Sequence, residues 1–133
     1  MSKIFTFALL SGSTENEDAV FAVKLAEALL KRGNRVNMFL FGNGCNLANQ
    51  CVPYKEGRSP ISDDLRAHMD AFVLDAPIAK LVEAGASIVT CHTTEYSRGT
   101  EGLEYIKGVE WGDVGNSFTR MLLRTDVLLT IGQ

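Results

Sequence analysis

The chain has 133 residues, 46% of them hydrophobic and 22% charged, with a formal net charge of −3. That length is enough for one domain, residues 1–133, to bury a hydrophobic core without disulfide or metal staples. Weak negative charge without any lysine- or arginine-rich run argues against nucleic acid as a partner, and no apolar segment approaches the roughly 20 residues that span a bilayer, which excludes a membrane partner.

Residues 3–10, KIFTFALL, form a β-branched and aromatic run closed by SGST and predict a buried first strand. The run is strand-sized and has no small-residue cleavage site, so a cytoplasmic location is expected. Thr14 followed by Glu17 fits a capping box, and Phe21, Leu25, Ala28 and Leu29 recur at helical spacing until Gly33. The small hydroxyl residues of SGSTENED also suit a phosphate, although helix capping accounts for them equally. RVNMFLFG, residues 35–42, predicts a second strand. The following GNGCNLANQCVPYKEGRSP shows no periodicity and predicts a long irregular connection.

Ser62 is placed to cap a second helix, with Asp63 and Asp64 as first-turn charge and Leu65, Met69, Phe72 and Ala76 along one side. Pro77 is expected to break or kink that helix, and Gly85 to end it. ASIVTC, ending at Cys91, predicts a third strand of the kind covered on both faces. Beyond it, KGVEW leaves room for a short strand. Val114, Phe118, Met121 and Leu122 line one side of a helix opened by Asp113, and DVLLTIG supplies the last strand. The alternation predicts an α/β class, a three-layer domain with a mostly parallel sheet whose strand C-terminal ends share one edge.

Ligands and reactive groups collect at that edge, and Cys91 should reach it. Thr93 or Thr94 is expected to cap a short helix toward Arg98, whose amide end would stabilise a thiolate. Arg98 would face that thiolate or a bound anion. His92 is a further proton partner only if its ring turns back, because neighbouring side chains on an extended backbone point oppositely. The opposing reading makes Cys91 a small buried hydrophobe, as free cysteines commonly are. Three cysteines, an odd number, read as reduced thiols. Cys45 reads as packed, and Cys51 as a loop thiol that reaches Cys91 as a resolving partner or simply packs. The Cys45–Cys51 spacing with no nearby histidine argues against a metal site. Tyr105 and Trp111 fit a pocket wall, a subunit contact or ordinary packing.

The segment IVTCHTTEYSRG resembles that of the DsrE/TusD-like (DsrE/F-like) sulfur-relay family, in which a strand-end cysteine is followed, after six residues, by Arg-Gly. The similarity extends through FLFGNGC and RTDVLLTIG, so it covers nearly the whole chain. It implies a flavodoxin-like α/β layer, assembly as a homo-oligomer or hetero-oligomer, and a persulfide on Cys91 with Arg98 and Gly99 shaping the adjoining turn. His92, Thr93 and Thr94 begin a polar run where the family often has small apolar residues, which suggests an orphan branch. The expected function is that of a sulfur carrier or sulfurtransferase, with sulfur donor and acceptor proteins or small thiols as partners and no cofactor or metal. A non-catalytic oligomeric binding subunit and a thiol redox protein using Cys91 and Cys51 are the alternatives.

Overall fold

The computed structural model describes residues 1–12, 17–49, 62–70 and 73–132, with residues 66 and 69 described by their backbone alone. The elements run β1 (Ile4–Leu9), α1 (Asp18–Lys31), β2 (Arg35–Leu40), a 3-10 helix (Gly42–Ala48), α2 (Asp63–Asp70), α3 (Asp75–Glu83), β3 (Ser87–Cys91) and α4 (His92–Arg98). Then come β4 (Glu110–Gly112), a π-helical turn (Val114–Phe118) running into α5 (Thr119–Leu122), and β5 (Val127–Ile131). Among the described residues no helix is long and apolar enough to cross a membrane.

The strands form one sheet in the order β4-β3-β2-β1-β5, and every neighbouring pair is parallel. The α/β class with a parallel sheet is therefore as expected. The strand order differs from the 2-1-3-4-5 of a flavodoxin-type sheet. Here β1 to β4 step steadily one way, and only β5 crosses to the other side of β1.

Side chains alternate across the sheet. Phe7, Met38 and Ile88 pack with Ala19, Ala22, Val23 and Ala26 of α1 and with Ile78 and Leu81 of α3. On the opposite face Phe39, Val89 and Cys91 pack with Met121, and Phe118 lies against them. The Phe39 and Phe118 rings stack with centroids 4.8 Å apart.

Helical periodicity misjudged α1. Ala19, Ala22, Val23 and Ala26 are buried, whereas Phe21 is 57% exposed and Ala28 is exposed. Leu25 and Leu29 pack only at the margin of the core. Small side chains let the helix approach the sheet closely, where a phenylalanine would hold the layers apart. Glu17 occupies the N-cap position without a side-chain hydrogen bond, and Thr14, its expected partner, lies outside the described residues.

Further expectations change. The connection after β2 is not irregular throughout, since its first seven residues form the 3-10 helix. The helix expected over 62–85 is two helices, the first ending at Asp70 and the second starting at Asp75. Ser62 does cap the first, its hydroxyl accepting the Leu65 N–H at 3.2 Å. Leu65 and Ala76 are exposed, while Phe72 and the Met69 side chain lie outside the described residues. Pro77 causes no break because it occupies the first turn of α3, where an N–H has no intrahelical acceptor to lose. Finally, Asp113 accepts the Asn116 N–H as a cap, but Val114 and Leu122 stay exposed because the chain winds first as a π turn.

Candidate functional site

β2 and β3 lie side by side with Leu40 opposite Thr90, so the 3-10 helix after β2 and α4 after β3 leave from one edge of the sheet. The 3-10 helix packs on both β3 and α4. Gly44 lets this helix lie against the end of β1, because a Cβ there would overlap the Leu9 carbonyl oxygen. The next residue, Cys45, is fully buried.

Cys91 is the last residue of β3 and the N-cap of α4, with extended φ −78° and ψ 109°. The expected cap at Thr93 or Thr94 is thus displaced. The helix begins at His92, and both threonines occupy its first turn, whose amides have no intrahelical partner. Cys91 is 2% exposed, among Phe39, Val89 and Met121. His92 is half-buried with its ring against Trp111, centroids 4.3 Å apart, a contact that places Trp111 as a cover over the start of α4.

At the other end of α4, Arg98 is exposed and Gly99 takes the left-handed conformation, φ 69°. The Gly99 and Thr100 amides donate to the carbonyls of Tyr96 and Glu95, at 3.3 and 3.0 Å, closing the helix. The Cys45 thiol is raised by burial, and the Arg98 charge opposes that shift only in part. Cys51 and residues 13–16 of SGSTENED lie outside the described residues. Ser11, which opens that segment, donates to the Asp18 carboxylate at 3.2 Å. Asp63 and Asp64 are exposed in the first turn of α2, as first-turn charge should be.

Sequence reasoning missed the polar groups that gather behind Cys91. Glu95 is 0% exposed, and its Oε2 accepts the Tyr105 hydroxyl at 2.5 Å. Burial pushes its carboxyl above the ordinary range, opposed by the hydroxyls of Tyr105 and Thr90. Thr90, also 0% exposed, stands close enough to exert that pull, although its hydroxyl lacks a well-directed hydrogen bond. The Tyr105 hydroxyl is itself pushed above the usual phenol range, by burial and then by Glu95.

Asn49 is 4% exposed, and neither atom of its side-chain amide has a protein partner. Its backbone bridges antiparallel to Tyr105, which brings the 100–108 segment against the end of the 3-10 helix. Cys45 is 0% exposed, and burial raises its thiol. The Thr100 hydroxyl opposes that shift, while Glu95 and Cys91 reinforce it electrostatically. Cys45 is packed, as expected, but among polar groups. The sequence carried one signal for this cluster: Glu95 follows Cys91 by one helical turn inside the unusually polar HTTEY run.

No family model and no curated protein matches the chain. Its fold is similar to that of the ychN protein from E. coli, with a TM-score of 0.69, 20% identity, and coverage of 98% of this chain and 99% of that one. It is also similar to MTH1491 from Methanobacterium thermoautotrophicum, a protein of unknown function, with a TM-score of 0.68, 13% identity, and coverage of 97% and 99%. BT1422 from Bacteroides thetaiotaomicron, likewise of unknown function, matches with a TM-score of 0.57, 18% identity, and coverage of 96% and 94%. Over nearly its whole length the chain therefore has the α/β fold that these three proteins share with it.

Proposed function

We propose that the chain is a sulfur carrier of the DsrE/F-like kind, holding a persulfide on Cys91 and passing it to a protein or small-thiol acceptor. The observation that carries this reading is the position of Cys91, at the strand C-terminal edge and the N-cap of α4, within the Cys-x6-Arg-Gly segment that resembles that family. The fold likeness supports it. In loading, the Cys91 thiolate attacks the outer sulfur of a donor persulfide, the donor S–S bond breaks, and the donor leaves as a thiolate. In unloading, an acceptor thiolate attacks the outer sulfur on Cys91, which leaves as a thiolate in turn. The first-turn amides of α4 stabilise negative charge at both stages. Sulfur moves with no net electron transfer, so the chemistry itself calls for no redox partner. A cytoplasmic location and assembly with itself or with donor and acceptor subunits complete the reading.

Mass spectrometry after exposure to a persulfide donor tests it. The protein should gain sulfur in the wild type, Cys45→Ser and Cys51→Ser forms and lose that gain in Cys91→Ser. Capture that survives Cys91→Ser overturns the assignment.

The 2% exposure of Cys91 favours a second reading, in which the chain is a non-catalytic oligomeric binding subunit. That reading predicts no reaction of Cys91 with a thiol reagent in the native state and ready reaction after unfolding. The thiol redox reading instead predicts a reversible Cys91–Cys51 crosslink under mild oxidant, which peptide mapping would detect.

A further inference from the structure

Cys91 is 2% exposed, and the apolar cluster that encloses it has two parts. Phe39 and Val89 belong to the sheet itself, on the face that Cys91 shares. Phe118 and Met121 belong to the π-helical turn and to α5, which cross over that face. Within the cluster, only these two side chains can move aside without opening the sheet. A π turn is rare and is found frequently at functional sites. This one is lightly held: Val114, Gly115 and Asn116 are exposed, and none of its residues is buried. Its capping bonds are internal, with Asp113 accepting the Asn116 N–H and the Ser117 hydroxyl accepting the Asp113 N–H at 3.3 Å. The end of α5 is tied down instead. There the Thr125 hydroxyl donates to the Met121 carbonyl at 2.6 Å and meets the Thr6 hydroxyl of β1.

We propose that the π turn is a gate over Cys91: it swings outward about the anchored end of α5, draws Phe118 off Phe39 and uncovers the thiol. The gate supplies the access that a buried carrier cysteine needs, so its role rests on the persulfide reading of Cys91. Carrying the turn outward keeps its own capping bonds. What it gives up is apolar packing: the Phe39–Phe118 stack, with centroids 4.8 Å apart, and the cover on Cys91. A small set of contacts at the margin of the fold is what a local opening releases, at a free energy below that of global unfolding.

Gly112 shows how closely the shut gate sits. It lies opposite Cys91 in the register of β3 with β4, and a Cβ there would overlap the Ser117 hydroxyl and a methyl group of Val89. A side chain at position 112 would therefore act as a wedge between the turn and the sheet. Shut, the gate keeps the outer sulfur of a Cys91 persulfide from stray thiols. Open, it admits a donor or an acceptor, so loading and unloading each require one opening.

Iodoacetamide labelling of the folded protein tests the gate, read at the Cys91 peptide over urea concentrations below the unfolding transition and set against unfolding followed by circular dichroism. Cys91 should react in the native state with a urea slope well below that of global unfolding, because a local opening exposes little surface. Phe118→Ala should raise the Cys91 rate by up to about tenfold from loss of the stacked pair alone. Gly112→Ala should raise it as well, through the wedge. Ile78→Val loosens the opposite face of the sheet, so it should lower global stability and leave the Cys91 rate unchanged. A Cys91 rate that follows global unfolding in urea, or that rises with Ile78→Val as stability falls, overturns the gate. So does a rate that neither Phe118→Ala nor Gly112→Ala alters while both stay folded. Sulfur capture from glutathione persulfide separates the gate from the carrier reading. Capture on Cys91 should rise in step with alkylation in the two gate variants, whereas alkylation through the opening without any sulfur capture overturns the carrier reading and leaves the opening established.

Discussion

At Glu95 burial opposes ionisation. One oxygen is bound by Tyr105, the other has no protein partner, and burial holds the carboxyl above its ordinary range. A carboxyl raised on folding favours the native state while it is protonated, and that contribution is lost as pH rises through the folded-state value. Glu95 should therefore make the protein less stable as pH climbs out of the ordinary carboxylate range, against the usual behaviour of ion-paired acids. Urea denaturation across that range checks this. Glu95→Gln should match the wild type in acid and exceed it at higher pH, and a gap between the two that does not widen with pH would show that Glu95 is not raised. Tyr105→Phe removes the hydroxyl that serves the buried carboxyl, leaving a second oxygen unpaired. It should cost about 1–3 kcal/mol by the same measurement at neutral pH, the range for a buried group left without its partner.

Two glycines separate local strain from long-range placement at the level of the elements. Gly99 closes α4 in a left-handed conformation with open space around its missing Cβ, so Gly99→Ala should cost only conformational strain, about 1–2 kcal/mol. Gly44 has an ordinary backbone conformation but no room, because a Cβ would enter the backbone of Leu9. Gly44→Ala must shift the 3-10 helix, and it should change Cys45 reactivity toward small thiol reagents as well as stability. Gly99→Ala should leave that reactivity much closer to wild type. Strand positions were legible because a parallel strand covered on both faces reads as an apolar run, as in IFTFAL and SIVTC. Helix faces were less so: in α1 the alanines that touch the sheet carry less hydrophobic signal than the exposed Phe21. Cys91 could be found from its place after a strand, whereas Thr90, Asn49, Cys45 and Tyr105 meet Glu95 only through tertiary contacts that leave no local period.

Across the whole molecule, the two sheet faces are covered unequally. α1 and α3 bury one of them under a large cluster, whereas the opposite face has the smaller cluster around Phe39, covered by α5 and Phe118. On that side Leu123 is 80% exposed, and Phe41, Val114, Leu122 and Leu128 are exposed as well. A chain of hydrogen bonds fixes the surface that bears them. Asn37 donates to the Thr6 hydroxyl at 3.1 Å, Thr6 to the Thr125 hydroxyl at 2.5 Å, and Thr125 to the Met121 carbonyl at 2.6 Å, tying the end of α5 to the sheet. Apolar side chains held on a rigid backbone lose little conformational entropy when a second surface covers them, which is the condition for an oligomer contact. If the protein assembles with itself, as proposed above, this face should form the contact. Leu123→Asp and Leu128→Asp should then lower the mass measured by light scattering toward that of one chain. Phe21→Asp, at an exposed aromatic position on the α1 side, should leave the mass unchanged. A wild-type oligomer that survives both leucine substitutions but separates with Phe21→Asp would move the contact to the other face, away from Phe39, Met121 and the packing around Cys91.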